Sequence, residues 1–469
     1  MKRKILPLLL LTFSTFSYAQ NCDCESNFNW VKKTFEENDA GFEYIISKKG
    51  RDAYELHSQM YLQKAKQLPN DKECAIVIDK WVRFFRDGHI GIKYLKEPVQ
   101  ETNFTVENIP VNEKDFKKYL SKKKTQDKYE GIWSFGSYVI AIKRRNNEYI
   151  GTILSSTNKN WKVGDVKTVF TENDGTLYLG NKSPQKISKI TTIGNTYLKL
   201  NTTILQKKYP DIKENATISK EIQWLDTAKP LFEKLNENTA YLRIPDFEIS
   251  EKKHIDSIIE KNKDIILATK NLIIDVRNNP GGSDASYSSL IPFLYTNPIR
   301  TVGTLFYSTP LNNQRMLELS QNPDFDKESQ EGFKKYYETL NASLGKFVDI
   351  FNKDVFIQTR KEITRYPENI GIVINEKNGS TTEQFLLTAK QSKKVKLYGK
   401  TTHGMLDISN VNIIESPCKD FELYYGLSRS YRIPDFAIDD IGLQPDYFID
   451  GSVSEYNWIK FVDETLNSK

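Results

Sequence analysis

Two stretches constrain the fold more than any others: Leu272-Ile-Ile-Asp-Val276, and the run from Ile370 to Asn375. The first has the continuous apolar character of a buried strand, and the second is a strand candidate that opens a second unit. A strand that alternates polar and apolar residues can leave one face to water, but a continuous apolar run needs cover on both. Both runs lead through a turn into a helical pattern. The first passes through Asn-Asn-Pro-Gly281-Gly282-Ser to a helix from about Asp284. The second passes through Asn378-Gly-Ser380 to a helix over 381–391 and then a strand over 395–398. A strand candidate, Tyr241 to Phe247, and a polar-faced helix over 252–270 precede them. This alternation of strand and helix predicts an α/β core.

The rest of the chain differs in character. Residues 25–96 carry apolar positions at helical spacing, Phe28, Val31 and Phe35 among them, and close on Asp87-Gly88-His89 before an alternating strand. Residues from about 100 to 215 form short β-rich runs broken by Asn, Gly and Asp, which predicts a small domain of about five to eight strands. Gly164-Asp165-Val166 faintly echoes a PDZ fragment, but no carboxylate-binding Gly-Leu-Gly-Phe-like loop accompanies it. The expected middle domain is therefore another β-module, barrel-like, with an unassigned ligand. The division is 1–20, 21–98, 99–215 and 216–469, in keeping with about 150 residues per domain for a chain of 469.

Residues 1–20 place Lys2, Arg3 and Lys4 before the apolar run Ile5 to Leu11, with Ser17 and Ala19 behind it, the pattern of a cleaved export signal. The expected location is periplasmic or extracellular, and no later stretch has the length of a membrane span. The formal charge of +6 falls to +3 once the three basic residues of this segment are removed. A nucleic-acid binder would show a dense basic face, so that class is set aside. Cys22, Cys24, Cys74 and Cys418 make an even count in an exported chain, which favours structural bridges. Cys22 and Cys24 are too close for an easy mutual bridge, so each looks to a distant partner. Two close pairs, as a zinc site needs, are absent, and no metal or cofactor is expected.

Three features could carry chemistry. The Gly281-Gly282 turn lets backbone N–H groups approach a ligand without interference from a β-carbon, as an oxyanion requires, although such a turn can also be only a turn. Ser380-x-x-Glu383 reads as a capping box. The same geometry also exposes a serine hydroxyl at a helix N-terminus, where developing negative charge is favoured. Of the four histidines, His57 and His254 lie in polar helical stretches, whereas His89 and His403 lie in turns beside strands, where an imidazole can act as a general base.

Together these residues resemble the serine peptidase family of tail-specific protease, tricorn core and interphotoreceptor retinoid-binding protein. The resemblance rests on Leu272 to Gly282, Ala240 to Phe247, Ser380-x-x-Glu383, Gly399-Lys-Thr-Thr-His-Gly404 and Gly442-Leu-Gln-Pro-Asp446, in that family's order. It implies a ClpP/crotonase-like α/β core with an N-terminal helical segment and a β-rich middle domain. It also implies Ser380 as nucleophile and an oxyanion hole drawn from Gly281, Gly282 and Thr381. The lysine of the tail-specific Ser–Lys dyad would fall on Met405, so the chain is similar instead to the tricorn-like branch. There Asp87-Gly88-His89 supplies the base, with His403 as backup. The orienting carboxylate falls on Asp439 or its neighbour Asp440, where a glutamate is more usual. The implied activity is hydrolysis of peptide or protein substrates. Because the retinoid-binding branch uses the fold for apolar ligands, a weak or inactive ligand-binding protein is the alternative. An assembly role for the β-domain is compatible with either.

Overall fold

The structure, a computed structural model, describes residues 22–70, 72–96, 104–323 and 325–468, so the leader read at 1–20 lies outside the described residues. The chain forms two compact units. Among the described residues, one comprises those within 22–96, 300–358 and 403–443, and the other those within 104–299, 359–402 and 444–468.

In the first unit four helices run over Cys24–Asn38, Phe42–Lys49, Arg51–Ala65 and Lys72–Val82. The Asp23 side chain caps the first by accepting from Ser26 N–H. Phe28, Val31 and Phe35 fall on its buried face, where Phe28, Phe35, Phe42, Tyr54, Trp81 and Phe85 pack ring against ring. The hub of this unit's sheet is the strand Phe421–Ser430. It pairs antiparallel with Ile408–Glu415, with Gly91–Tyr94 and with Thr304–Tyr307. Disulfides join Cys22 to Cys418 and Cys24 to Cys74, each cysteine of the close pair reaching a distant partner.

The division expected from sequence, with 21–98 standing apart and 216–469 as one core, is therefore redrawn. Gly91–Tyr94 is a four-residue strand that finds its partner in Phe421–Tyr424, and the helices bury their apolar faces in the same cluster as Phe421, Leu423, Tyr425 and Leu427. Residues 300–358 and 403–443 are grouped with the N-terminal helices for that reason.

The second unit contains a six-stranded sheet. Its order is Leu231–Lys234, Thr239–Arg243, Asn271–Asp275, Asn369–Ile374, Val395–Gly399 and Tyr447–Phe448, all parallel except the first. Leu272, Ile273, Ile274, Ile370, Ile372 and Val373 are all buried, which accounts for the apolar character of both runs. Helices Lys252–Ala268 and Thr381–Ala389 form the crossovers. The middle β-domain is one nine-stranded antiparallel sheet, larger than the five to eight strands expected. Its two edge strands, Pro184–Ile187 and Ile190–Ile193, are separated only by Ser188 and Lys189, so the sheet must curl on itself like a barrel.

Candidate active site

Strands Asn271–Asp275 and Asn369–Ile374 are parallel neighbours, so the turns after them emerge side by side at the carboxyl end of the sheet. Four asparagines bind these turns together. Asn278 N–H donates to Asn375 Oδ1 at 2.9 Å, and Asn375 Nδ2 returns a bond to Asn278 Oδ1 at 2.9 Å. Asn378, fully buried, donates to the carbonyls of Val276 and Asn279 at 2.5 and 3.1 Å and accepts from Asn375 N–H at 2.7 Å. The Thr382 hydroxyl adds a bond to Asn279 Oδ1 at 2.8 Å.

This frame fixes Ser380. Its backbone lies at φ 53° and ψ −126°, outside the regions a serine ordinarily occupies, immediately before helix Thr381–Ala389. Its hydroxyl makes no cap bond to that helix. Glu383, fully buried, accepts from the Thr402 hydroxyl at 2.5 Å. The capping-box reading therefore does not hold at Ser380, because a left-handed residue cannot also be an N-cap in the extended region. Such a sharp strand-to-helix turn is one way to hold a nucleophilic hydroxyl above a sheet.

Gly281 lies against this turn. A β-carbon there would stand 2.8 Å from Ser380 Cβ and 3.0 Å from Thr381 N, and φ at Gly281 is +119°. Its N–H donates to Asn279 Oδ1 at 3.0 Å, while the Gly282 carbonyl accepts from the Thr381 hydroxyl at 2.8 Å. Gly281 thus supplies room beside Ser380, and its own N–H is committed within the turn. Beneath the turns, the Arg277 side chain holds the Asp275 carboxylate by three bonds of 2.7, 3.0 and 3.2 Å, with Arg243 and Tyr241 alongside. Burial would raise the Asp275 carboxyl, but these guanidiniums hold it below the usual carboxylate range.

The base candidates lie in the first unit. His89 follows Gly88 in a left-handed backbone, φ +54°, and its Nδ1 meets the Ile408 carbonyl at 2.7 Å. A carbonyl can only accept, so Nδ1 carries the proton and Nε2 presents its lone pair. Burial, with the Arg86 and His403 charges, holds the imidazole below its ordinary pKa against the raising effect of the Ile408 carbonyl. Gly88 is pressed against Met405, since a β-carbon there would lie 2.1 Å from Met405 Cβ. The residue at the dyad-lysine position is therefore next to the residue preceding the histidine. His403 is exposed.

Asp439 lies one residue behind His89 in a chain of hydrogen bonds. Its Oδ1 accepts from Leu406 and Asp407 N–H at 2.6 and 2.7 Å and its Oδ2 from Ile408 N–H at 3.0 Å, so it fixes the residue whose carbonyl meets the imidazole. At Nδ1 the imidazole meets the Ile408 carbonyl, and the Asp439 carboxylate, the expected orienting group, is engaged with the strand start. Burial and the neighbouring Asp407 push the Asp439 carboxyl up to about 6. Asp440 is exposed, and its Oδ1 lies 3.5 Å from Asp87 N.

The structure thus gathers Ser380, Thr381, Gly281 and Gly282 in one unit, and His89, His403, Met405 and Asp439 in the other. Sequence reading missed the asparagine frame, although Asn375 directly follows its strand and Asn278 and Asn279 lie in the turn after the other. Among the described residues no group of three or more His, Cys, Asp or Glu side chains is placed to hold a metal ion.

Residues 238–449 match the description of peptidase family S41. The structure of mature CPAF complexed with lactacystin is similar, with a TM-score of 0.52 and 14% identity over 95% of this chain and 98% of that one. The photosystem II D1 C-terminal processing protease gives 0.39 and 13% over 95% and 98%. The tricorn protease gives 0.42 and 12% over 95% of this chain and 36% of its own. At such identities the likeness to CPAF is one of fold. No curated protein matches the chain.

Proposed function

We propose that this chain, which matches peptidase family S41 over residues 238–449, is a serine-type peptidase with Ser380 as its nucleophile and His89 as its general base. The observation that carries the proposal is the left-handed turn at Ser380, pinned by buried asparagines with Gly281 set against it. A serine held in so costly a conformation, about 1–3 kcal/mol, needs a framework that over-determines it.

In the proposed reaction His89 Nε2 takes the Ser380 proton as Oγ attacks the substrate carbonyl carbon, forming the C–O bond of a tetrahedral intermediate. The oxyanion is held by the N–H groups of Thr381 and Gly282. Thr381 opens its helix, where the first N–H groups have no intrahelical acceptor. Gly281 contributes space. The imidazolium then gives its proton to the departing amine as the C–N bond breaks, and a water deprotonated by His89 releases the acyl group. Asp439 steadies the imidazole through Ile408.

We further read the α/β core as ClpP/crotonase-like and the protein as exported, periplasmic or extracellular. The leader pattern at 1–20 and the two disulfides support export. Among the described residues no helix is long and apolar enough to cross a membrane. Turnover of a fluorogenic peptide library tests the catalytic assignment. Ser380→Ala and His89→Ala should each lower kcat by about 10⁴ to 10⁶. Wild-type turnover by either variant rules out its assigned role, and a wild-type protein with no turnover favours the ligand-binding alternative.

A further inference from the structure

Arg86 and Asp39 form an ion pair inside the first unit, with both side chains almost fully buried. The pair is bidentate: Nη1 to Oδ1 at 2.9 Å and Nη2 to Oδ2 at 2.6 Å. Asp39 is itself fixed by the N–H groups of Gly41 at 2.9 Å and of Gly426, on the central strand, at 3.1 Å. There is no slack around it, since a β-carbon on Gly41 would stand 2.9 Å from Arg86 Nη1. Two further donors of the guanidinium reach the backbone that carries the base. Nε bonds the Gly88 carbonyl at 3.1 Å, and Nη2 reaches the His89 carbonyl at 3.4 Å.

These two carbonyls belong to the residues that set His89 in its left-handed conformation. A non-glycine residue at positive φ is uncommon, though histidine adopts it more readily than most, so contacts to its backbone help fix it there. The guanidinium is a rigid planar fork, suited to holding a carboxylate on one side and two backbone carbonyls on the other. A purely structural ion pair has no need to spend donors on the turn that carries the base. We propose that the Arg86–Asp39 pair is a positioning device for His89, locking the backbone at Gly88 and His89 so that the imidazole meets the Ile408 carbonyl through Nδ1 and offers Nε2 for proton transfer. The inference rests on the reading of His89 as the base.

The pair also sets the charge seen by the imidazole. The charged or titratable groups around His89 are Arg86, balanced by Asp39, then His403, and Asp439 acting through Ile408. Removing one partner leaves the other uncompensated, and the two removals act in opposite directions. Asp39→Asn leaves a bare cation beside the imidazole, disfavours imidazolium and moves the acid limb of kcat/KM to lower pH. Arg86→Gln leaves a bare anion and moves the limb to higher pH. Both should lower kcat by about 10² with KM changed little, as a displacement of about 1 Å can do. Arg86→Lys, which keeps the charge and loses the fork, should lower kcat while leaving the limb in place.

The experiment measures pH profiles of kcat and KM for these three full-length variants and for His89→Ala, each with a thermal melt. Opposite limb shifts in Asp39→Asn and Arg86→Gln are the expected result. An inactive His89→Ala together with unshifted profiles in the other variants overturns the positioning role alone. Loss of cooperative melting in all three pair variants also overturns it, since the pair is then a fold staple. Wild-type turnover by His89→Ala instead overturns the assignment of the base.

Discussion

A β-carbon at position 281 would meet Ser380 Cβ at 2.8 Å and the Gly379 carbonyl at 2.9 Å, both of them parts of a pinned turn that cannot recede. Gly281→Ala should therefore lower kcat by about 10² through displacement of the Ser380 hydroxyl, read by steady-state kinetics. A kcat equal to wild type would mean that the turn yields more than its asparagine frame suggests. At this scale the sequence was legible where backbone freedom was at issue. Paired glycines after a buried strand mark a close approach, and a serine between strand and helix marks an exposed hydroxyl. It was misleading at Glu383, where the capping-box pattern is present but the side chain turns to Thr402 instead. Buried charge was illegible for a plain reason. Arg86 and Asp39 are 47 residues apart and look like surface residues until the fold encloses both.

The elements that carry the site are two parallel strand ends, and their precision comes from Asn278, Asn279, Asn375 and Asn378. Asn378 alone serves the Val276 and Asn279 carbonyls and the Asn375 N–H. Asn378→Ala leaves these buried groups without that partner and should destabilise the protein by about 3 kcal/mol, measured by denaturant unfolding. A loss below about 0.5 kcal/mol would show that the two turns hold together without it. The strands themselves were readable from apolar runs, and the crossover helices from their period. The asparagine frame was not, because asparagine after a strand is what any turn contains. The count of strands in the β-domain fell short because several are only four residues long, such as Pro184–Ile187 and Ile190–Ile193, too brief for alternation to register.

Across the whole molecule the chain does not divide as its local patterns suggest. Gly91–Tyr94 and Phe421–Tyr424 pair across most of the sequence, and local periodicity cannot specify which distant strand a short strand joins. The disulfides reinforce the first unit, and Cys24–Cys74 closes a loop across its helices with a sequence separation of 50. Cys24→Ser with Cys74→Ser should cost about 4 kcal/mol by the chain-entropy relation, seen as a lower melting midpoint; an unchanged midpoint would mean that the helices need no staple. The central claim, that Ser380 is a nucleophile activated by His89, is tested most directly by fluorophosphonate labelling of the full-length protein followed by peptide mapping. The account predicts a single modified residue, Ser380, with no label in Ser380→Ala and labelling slowed by at least about 10³ in His89→Ala. Label on another serine, or equal labelling of wild type and Ser380→Ala, would contradict it.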